Sequence, residues 1–179
     1  MSIDESPKKD FDHLGDSNTG LEIISYNGDD SMVYIPEDIE GIPVTSIKGA
    51  FTNSEIKVKA VHLGKNLKEI KDAAFANNKN LEIFVAEGLE TIEENAFIGD
   101  ENLKEIVLNE GIKYIGDLAF GQVGAKEIKL PSTLEKIGDL GPFGQNISGF
   151  KVIISKKTPV LEEIKSIAEA QKFQLEIID

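Results

Sequence analysis

The sequence contains no cysteine and no tryptophan, and only two histidines and two methionines among 179 residues. The absence of cysteine excludes disulfide bonds, thiolate metal sites and a cysteine nucleophile. No stretch reaches the roughly 18 consecutive apolar residues that a membrane-spanning helix requires. The first twenty residues are polar and lack the apolar core of a signal peptide. The sequence therefore predicts a cytoplasmic protein, unless an export segment precedes this chain.

Basic residues are also scarce, with 19 Lys and Arg against 32 Asp and Glu, which gives a formal net charge of -13. A surface for nucleic acid would have to overcome repulsion between these carboxylates and the phosphates. Nucleic acid is therefore not expected as a partner.

The most prominent feature of the sequence is a repeated pattern of apolar residues. Its clearest copy is Leu103 to Phe120, and equivalent positions recur at steps of 22 or 23 residues. Three sets define the repeat: Leu67, Leu89, Ile112 and Leu134; then Ile70, Ile92, Ile115 and Ile137; then Phe75, Phe97, Phe120 and Phe143. Such a period is typical of solenoids built from short coils, in which each coil buries its apolar residues against its neighbours.

Each coil opens with a short alternating strand. Because successive side chains of a strand point to opposite faces, alternate residues should line the core. The predicted inward pairs are Val61 and Leu63, Ile83 and Val85, Ile106 and Leu108, and Ile128 and Leu130. The residues between them should form one outward column, Tyr34, His62, Phe84, Val107 and Lys129, beside a second, Ala60, Glu82, Glu105 and Glu127. Side by side, these strands should form a parallel sheet along one face.

The two ends depart from the repeat. Residues 1–19 are polar and predict a disordered tail. Residues 20–38 predict a β-hairpin cap, because two alternating segments flank the Asn-Gly of residues 27 and 28. The repeats should occupy 39–148. Residues 149–179 predict a strand-helix-strand cap, with Thr158 as helix N-cap and Pro159 as first helical residue.

Candidate sites for chemistry are few. His62 is the only histidine in the repeats, and its expected neighbours Tyr34 and Phe84 form no catalytic triad with it. Asp29, Asp30 and Asp100 lie in turns, but no loop offers the full set of oxygen ligands for calcium. Neither a catalytic site nor a cofactor is predicted.

The unit carried by Leu103 to Phe120, L-x-x-I-x-L-x-x-x-L-x-x-I-x-x-x-A-F, resembles the leucine-rich repeat of the BspA type. The lead-in from Tyr26 to Phe51 is similar to the N-terminal entry of such domains. The resemblance covers about residues 21–179. It implies an α/β, strand-rich, right-handed leucine-rich repeat solenoid with its parallel sheet on the concave face. It also implies adhesion or protein binding, and export to a cell surface, but no catalytic residues.

Two functions follow as hypotheses. The first is a non-catalytic, monomeric binding module whose outward columns recognise a protein, such as a host or cell-surface protein, or a glycan-bearing surface. The second is a structural unit that packs against another copy or a neighbouring domain. The outward Tyr, Phe and Val could instead serve only strand propensity and cross-strand packing.

Overall fold

The computed structural model describes residues 7–52, 55–144 and 149–179. A short 3-10 helix, Lys8–Asp10, opens the described chain, and the only α-helix in these ranges is α1, Leu161–Gln171. The strands are β1 Phe11–Asp16, β2 Gly20–Tyr26, β3 Met32–Tyr34, β4 Asp38–Ile39, β5 Ile42–Ile47, β6 Ala60–His62, β7 Glu69–Ile70, β8 Ile83–Val85, β9 Thr91–Ile92, β10 Glu105–Val107, β11 Tyr114–Ile115, β12 Glu127–Lys129, β13 Lys136–Ile137, β14 Lys151–Ser155 and β15 Gln174–Ile178.

The strands form three sheets, because each coil contributes strands to two walls of the solenoid. The first sheet has the order β1-β2-β5-β7-β9-β11-β13, with β4 paired to β5. The second has the order β10-β8-β6-β3, and the third β12-β14-β15. All pairings are parallel except β1 with β2 and β4 with β5. The fold is a strand-rich leucine-rich repeat solenoid, as the repeat predicts.

A column of phenylalanine rings runs through the core between the walls. Phe51, Phe75, Phe97 and Phe120 stack with centroid distances of 4.9, 5.0 and 5.4 Å and interplanar angles of 8° or less. All four rings are at most 1% exposed. Beside them, Ala74, Ala96 and Ala119 are fully buried, and a small side chain there leaves room for the rings.

The N-terminal hairpin is present, but its strands differ from the predicted ones. β1 and β2 pair through a turn at residues 17–19, where the Asp16 carboxylate accepts hydrogen bonds from the N–H groups of Asn18 and Thr19. β2 and β3, the predicted partners, join different sheets. The prediction of disorder through residue 19 is therefore wrong for residues 7–19, and residues 1–6 lie outside the described ranges.

Aromatic packing explains why the segment predicted to be a disordered tail forms the strand β1. The ring of Phe11 lies 5.2 Å from that of Tyr26, which lies 5.5 Å from Phe51, so β1 and β2 extend the phenylalanine column by two rings. Phe11 is 4% exposed. Burial of such a ring is large enough to offset the ordering of a short polar strand.

The C-terminal cap has the predicted order of strand, helix and strand, although the helix starts later. Its N-cap is Val160, and Thr158 lies one turn earlier, where its carbonyl accepts a 3.1 Å hydrogen bond from the Leu161 N–H. Ile164 and Ala168 are buried and Leu161 and Ile167 partly buried, so the helix presents the predicted face to the core.

Candidate functional site

The outward columns of the second sheet follow from its register. Tyr34, His62, Val85 and Val107 lie opposite one another on neighbouring strands. Met32, Ala60, Ile83 and Glu105 form the column beside them by the same pairings. Glu127 and Lys129, the remaining predicted residues, lie on β12 of the third sheet, where both are exposed and Ile128 between them is buried.

One strand differs from the prediction. Phe84, expected to face outward, is fully buried, and its ring lies 4.5 Å from that of Phe97. Ile83 and Val85 take the outward positions, so neither is the core residue predicted, and Glu82 precedes the strand. The physical reason is that this coil is one residue shorter in the turn after the strand, Glu87-Gly88 against Asn109-Glu110-Gly111. Alignment on Leu81 and Leu103, both fully buried, would have placed Phe84 opposite Ile106.

The structure brings apolar side chains together on the outer surface of this sheet. Met32 is 48% exposed, Ile83 38% and Val107 45%. The rings of Tyr34 and His62 stack in parallel, 4.6 Å apart at 10°. We call this surface the apolar face: Met32, Tyr34, His62, Ile83, Val85 and Val107. Exposed groups on four adjacent strands form a continuous patch, which is uncommon on a surface facing only water.

Charged residues border this patch and largely pair with one another. Lys59 forms an ion pair of 3.0 Å with Glu82. Lys151 binds Glu127 at 2.8 Å and Glu176 at 3.3 Å, and these hydrogen bonds raise the pKa of Lys151 above its ordinary value. These ion pairs neutralise part of the border, and the distinctive property of the surface is its apolar content.

The outer surface of the first sheet is built from the same coils but differs in chemistry. The register aligns one residue per strand, and we call this column the polar face: Glu22, Ser46, Glu69, Thr91, Tyr114 and Lys136. The Lys136 ammonium lies 5.6 Å from the centre of the Tyr114 ring. Partial burial, with smaller effects of nearby carboxylates such as Glu94, raises the pKa of Tyr114.

A cleft of about 450 Å³ lies where the polar face meets the N-terminal hairpin. On its wall Lys71 contacts Glu22 at 2.6 Å and Glu69 at 3.7 Å, and the Ser46 hydroxyl donates to Glu22 at 3.3 Å. The hydrogen bond to Glu22 raises the pKa of Lys71. These groups pair with one another, which limits their availability to a ligand.

No group of three or more His, Asp or Glu side chains that could hold a metal ion occurs in residues 7–52, 55–144 and 149–179. Asp29 and Asp30 are exposed, and Asp30 accepts a hydrogen bond from the Tyr26 hydroxyl. Asp100 is fully buried, where burial raises its pKa to about 8. No α-helix within the described ranges is both long and apolar enough to cross a membrane.

Comparison with known proteins agrees with this architecture. The family model "BspA type Leucine rich repeat region" matches residues 31–144 in six copies. A leucine-rich repeat protein of T. pallidum shares 24% identity over 84% of this chain and 71% of that chain, with a TM-score of 0.74. One from Bacteroides ovatus shares 22% identity over 87% of this chain and 49% of the other, with a TM-score of 0.66. No curated protein matches the sequence.

These structural likenesses show the fold alone, whereas the family match covers well over half of the sequence. Leucine-rich repeat families are generally non-catalytic scaffolds, commonly of protein interactions, and members of this family are often surface-exposed or secreted. The chain belongs to the BspA-type leucine-rich repeat family.

Proposed function

We propose that this chain is a protein-binding module whose apolar face receives a hydrophobic segment of a partner protein. The observation that carries the proposal is the exposure of Met32, Ile83 and Val107 on one surface of the four-stranded sheet, each between 38% and 48%. Burial of apolar surface is the main favourable contribution to most protein associations. Family members commonly serve protein interactions, which supports the same assignment.

The polar face argues against a purely structural origin of the exposed apolar side chains. Both sheets are built from short parallel strands of the same coils, yet the outward positions of the first are filled by Glu22, Ser46, Glu69 and Thr91. Strand propensity and cross-strand packing therefore do not require apolar residues at outward positions of this solenoid.

A displayed library of random peptides provides the test, because it needs no knowledge of the natural partner. Peptides selected on the wild-type protein are synthesised and their dissociation constants measured by biolayer interferometry. The double variant Ile83→Thr, Val107→Thr keeps β-branched side chains but replaces apolar groups by hydroxyls. We expect it to weaken binding about tenfold or more.

The matched control is Leu140→Thr, since Leu140 is 66% exposed but lies outside the apolar face. Its affinity for the same peptides should equal that of the wild type. Unchanged affinity of the double variant, with an unchanged circular dichroism spectrum, would overturn the proposal. Light scattering over a range of concentrations tests the alternative, because a self-assembly surface predicts association that the double variant abolishes.

A further inference from the structure

A second cleft lies directly beside the apolar face and suggests which side chain the partner presents. It has a volume of about 290 Å³ and opens where the turns after β3, β6 and β8 approach one another. Tyr34 and His62 form one wall, and the ionisable side chains of Glu37, Lys65 and Glu87 also line it. The cleft thus joins an aromatic surface to a group of charges.

The charges of this cleft do not cancel. Lys65 forms an ion pair with Glu37. Glu87 is exposed and forms no ion pair with any residue of the ranges that the structure describes. One carboxylate therefore remains available, in a protein whose net charge is already -13. A cation entering the cleft would be favoured by both the local and the overall charge.

The aromatic wall suits the rest of a long basic side chain. The Tyr34 and His62 rings stack face to face at 4.6 Å, so their ring edges lie side by side and together form an apolar wall of the cleft. The methylene groups of lysine or arginine pack well on such a surface while the charged end reaches a carboxylate. Arginine has the additional advantage that its planar guanidinium stacks on rings and binds carboxylates with two hydrogen bonds.

We propose that this cleft binds an arginine or lysine side chain of the partner segment, with its charged end at Glu87 and its stem against Tyr34 and His62. The adjoining apolar residues of that segment then lie on Ile83 and Val85. This inference rests on the proposed function, because it names the kind of segment that the apolar face receives. The partner sequence is therefore basic at one position and apolar beside it.

The test uses the peptides selected on the wild-type protein. The inference predicts that those whose binding depends on Ile83 and Val107 carry an arginine or lysine next to apolar residues. For one such peptide, the arginine is replaced by citrulline, which has nearly the same size and shape but carries a carbonyl oxygen in place of one guanidinium nitrogen and has no charge. We expect the citrulline peptide to bind about five- to tenfold more weakly at low salt, and the difference to shrink in 1 M salt.

The protein variant Glu87→Gln should show the complementary effect. It should weaken the arginine peptide about five- to tenfold and leave the citrulline peptide unchanged. The matched control is Glu82→Gln, which removes an exposed carboxylate of the same coil that is paired with Lys59. This control should preserve the preference for arginine over citrulline.

Two results would overturn the inference while leaving the proposed function intact. One is peptide binding that depends on Ile83 and Val107 but shows no preference for a basic residue. The other is enrichment of acidic peptides whose binding is lost in Lys65→Met, which would assign the cleft to an anion. Peptides that bind independently of Ile83 and Val107 would overturn the proposed function itself.

Discussion

The apolar face and the polar face come from the same coils, only a few residues apart in sequence, yet they expose different chemical groups to water. On the polar face, Lys71 lies between Glu22 and Glu69, and Ser46 donates to Glu22. On the apolar face, Met32, Ile83 and Val107 remain 38% to 48% exposed. The inward residues of both walls are the repeated ones. The difference teaches that the fold constrains the inward positions and leaves the outward ones free to carry a function.

The largest predicted effect comes from a substitution in the phenylalanine column, which lies between the two walls. Phe97 is fully buried between Phe75 and Phe120 and also packs on Phe84 beneath the apolar face. We expect Phe97→Ala to lower the free energy of unfolding by about 3 to 5 kcal/mol, because it opens a cavity in the ring column. Urea denaturation followed by circular dichroism measures this. A loss below about 1 kcal/mol would show that the coils collapse into the cavity.

The second effect concerns Asp100, a fully buried carboxyl group in the turn segment between β9 and β10. Burial raises its pKa in the folded protein from the ordinary value of 3.8 to about 8. The folded state therefore binds more protons than the unfolded state between these values, so stability should decline as the pH rises from about 4 to about 8. Asp100→Asn keeps an oxygen for the Asn78 N–H, which donates to Asp100 at 2.8 Å. We expect this variant to reduce that decline and to be more stable than the wild type at pH 8.

The measurement for Asp100 is the free energy of unfolding in urea at several pH values, for both proteins. Other ionisable groups contribute equally to the two curves, and the difference between the curves isolates this position. The difference should grow by an amount on the order of a few kcal/mol across the interval. Parallel curves would show that Asp100 is ionised in the folded protein.

A smaller effect tests whether the charges of the polar face are self-satisfied. Lys71→Met keeps the methylene stem and removes the ammonium group that binds Glu22 and Glu69. We expect a loss of about 1 kcal/mol at low salt, since the pair is only partly exposed, and a smaller loss in 1 M salt. Lys129→Met is the control, because Lys129 is exposed and forms no ion pair within the described part of the chain. Equal losses would remove the contrast between the two faces.

The smallest predicted effect tests whether the apolar face contributes to stability. Val107→Thr retains the branched shape that favours strands and adds a hydroxyl at a position that is 45% exposed. Its free energy of unfolding should lie within about 0.5 kcal/mol of the wild type. A loss above 1 kcal/mol in thermal or urea denaturation would mean that the apolar face serves the stability of the sheet.

The repeat period predicted most of the inward column and helical spacing predicted the cap helix, because both depend on spacing along one chain. The positions of Phe84 and Val85 were wrong because the pattern does not say in which turn the shorter coil loses its residue. The hairpin was misplaced because the sequence contains two turn signals, at residues 16–20 and 27–28. Which of them joins the paired strands depends on the packing of Phe11 on Tyr26, and the turn residues themselves do not show this. The cleft at Glu87 could not be predicted from the sequence either, because it forms only where three turns from different coils approach one another.

The regular stacking of the phenylalanine rings also fixes the spacing of the coils that a bound ligand would cross. These rings belong to Phe51, Phe75, Phe97 and Phe120. Their planes deviate by 8° or less, so successive coils are translated with little rotation. Neighbouring strands are about 4.8 Å apart, and the three steps from β3 to β10 therefore cover about 14 Å. An extended segment laid at right angles to the strands advances about 13 Å in four residues. Anchors four residues apart, i and i+4, would thus reach the two ends of the apolar face together.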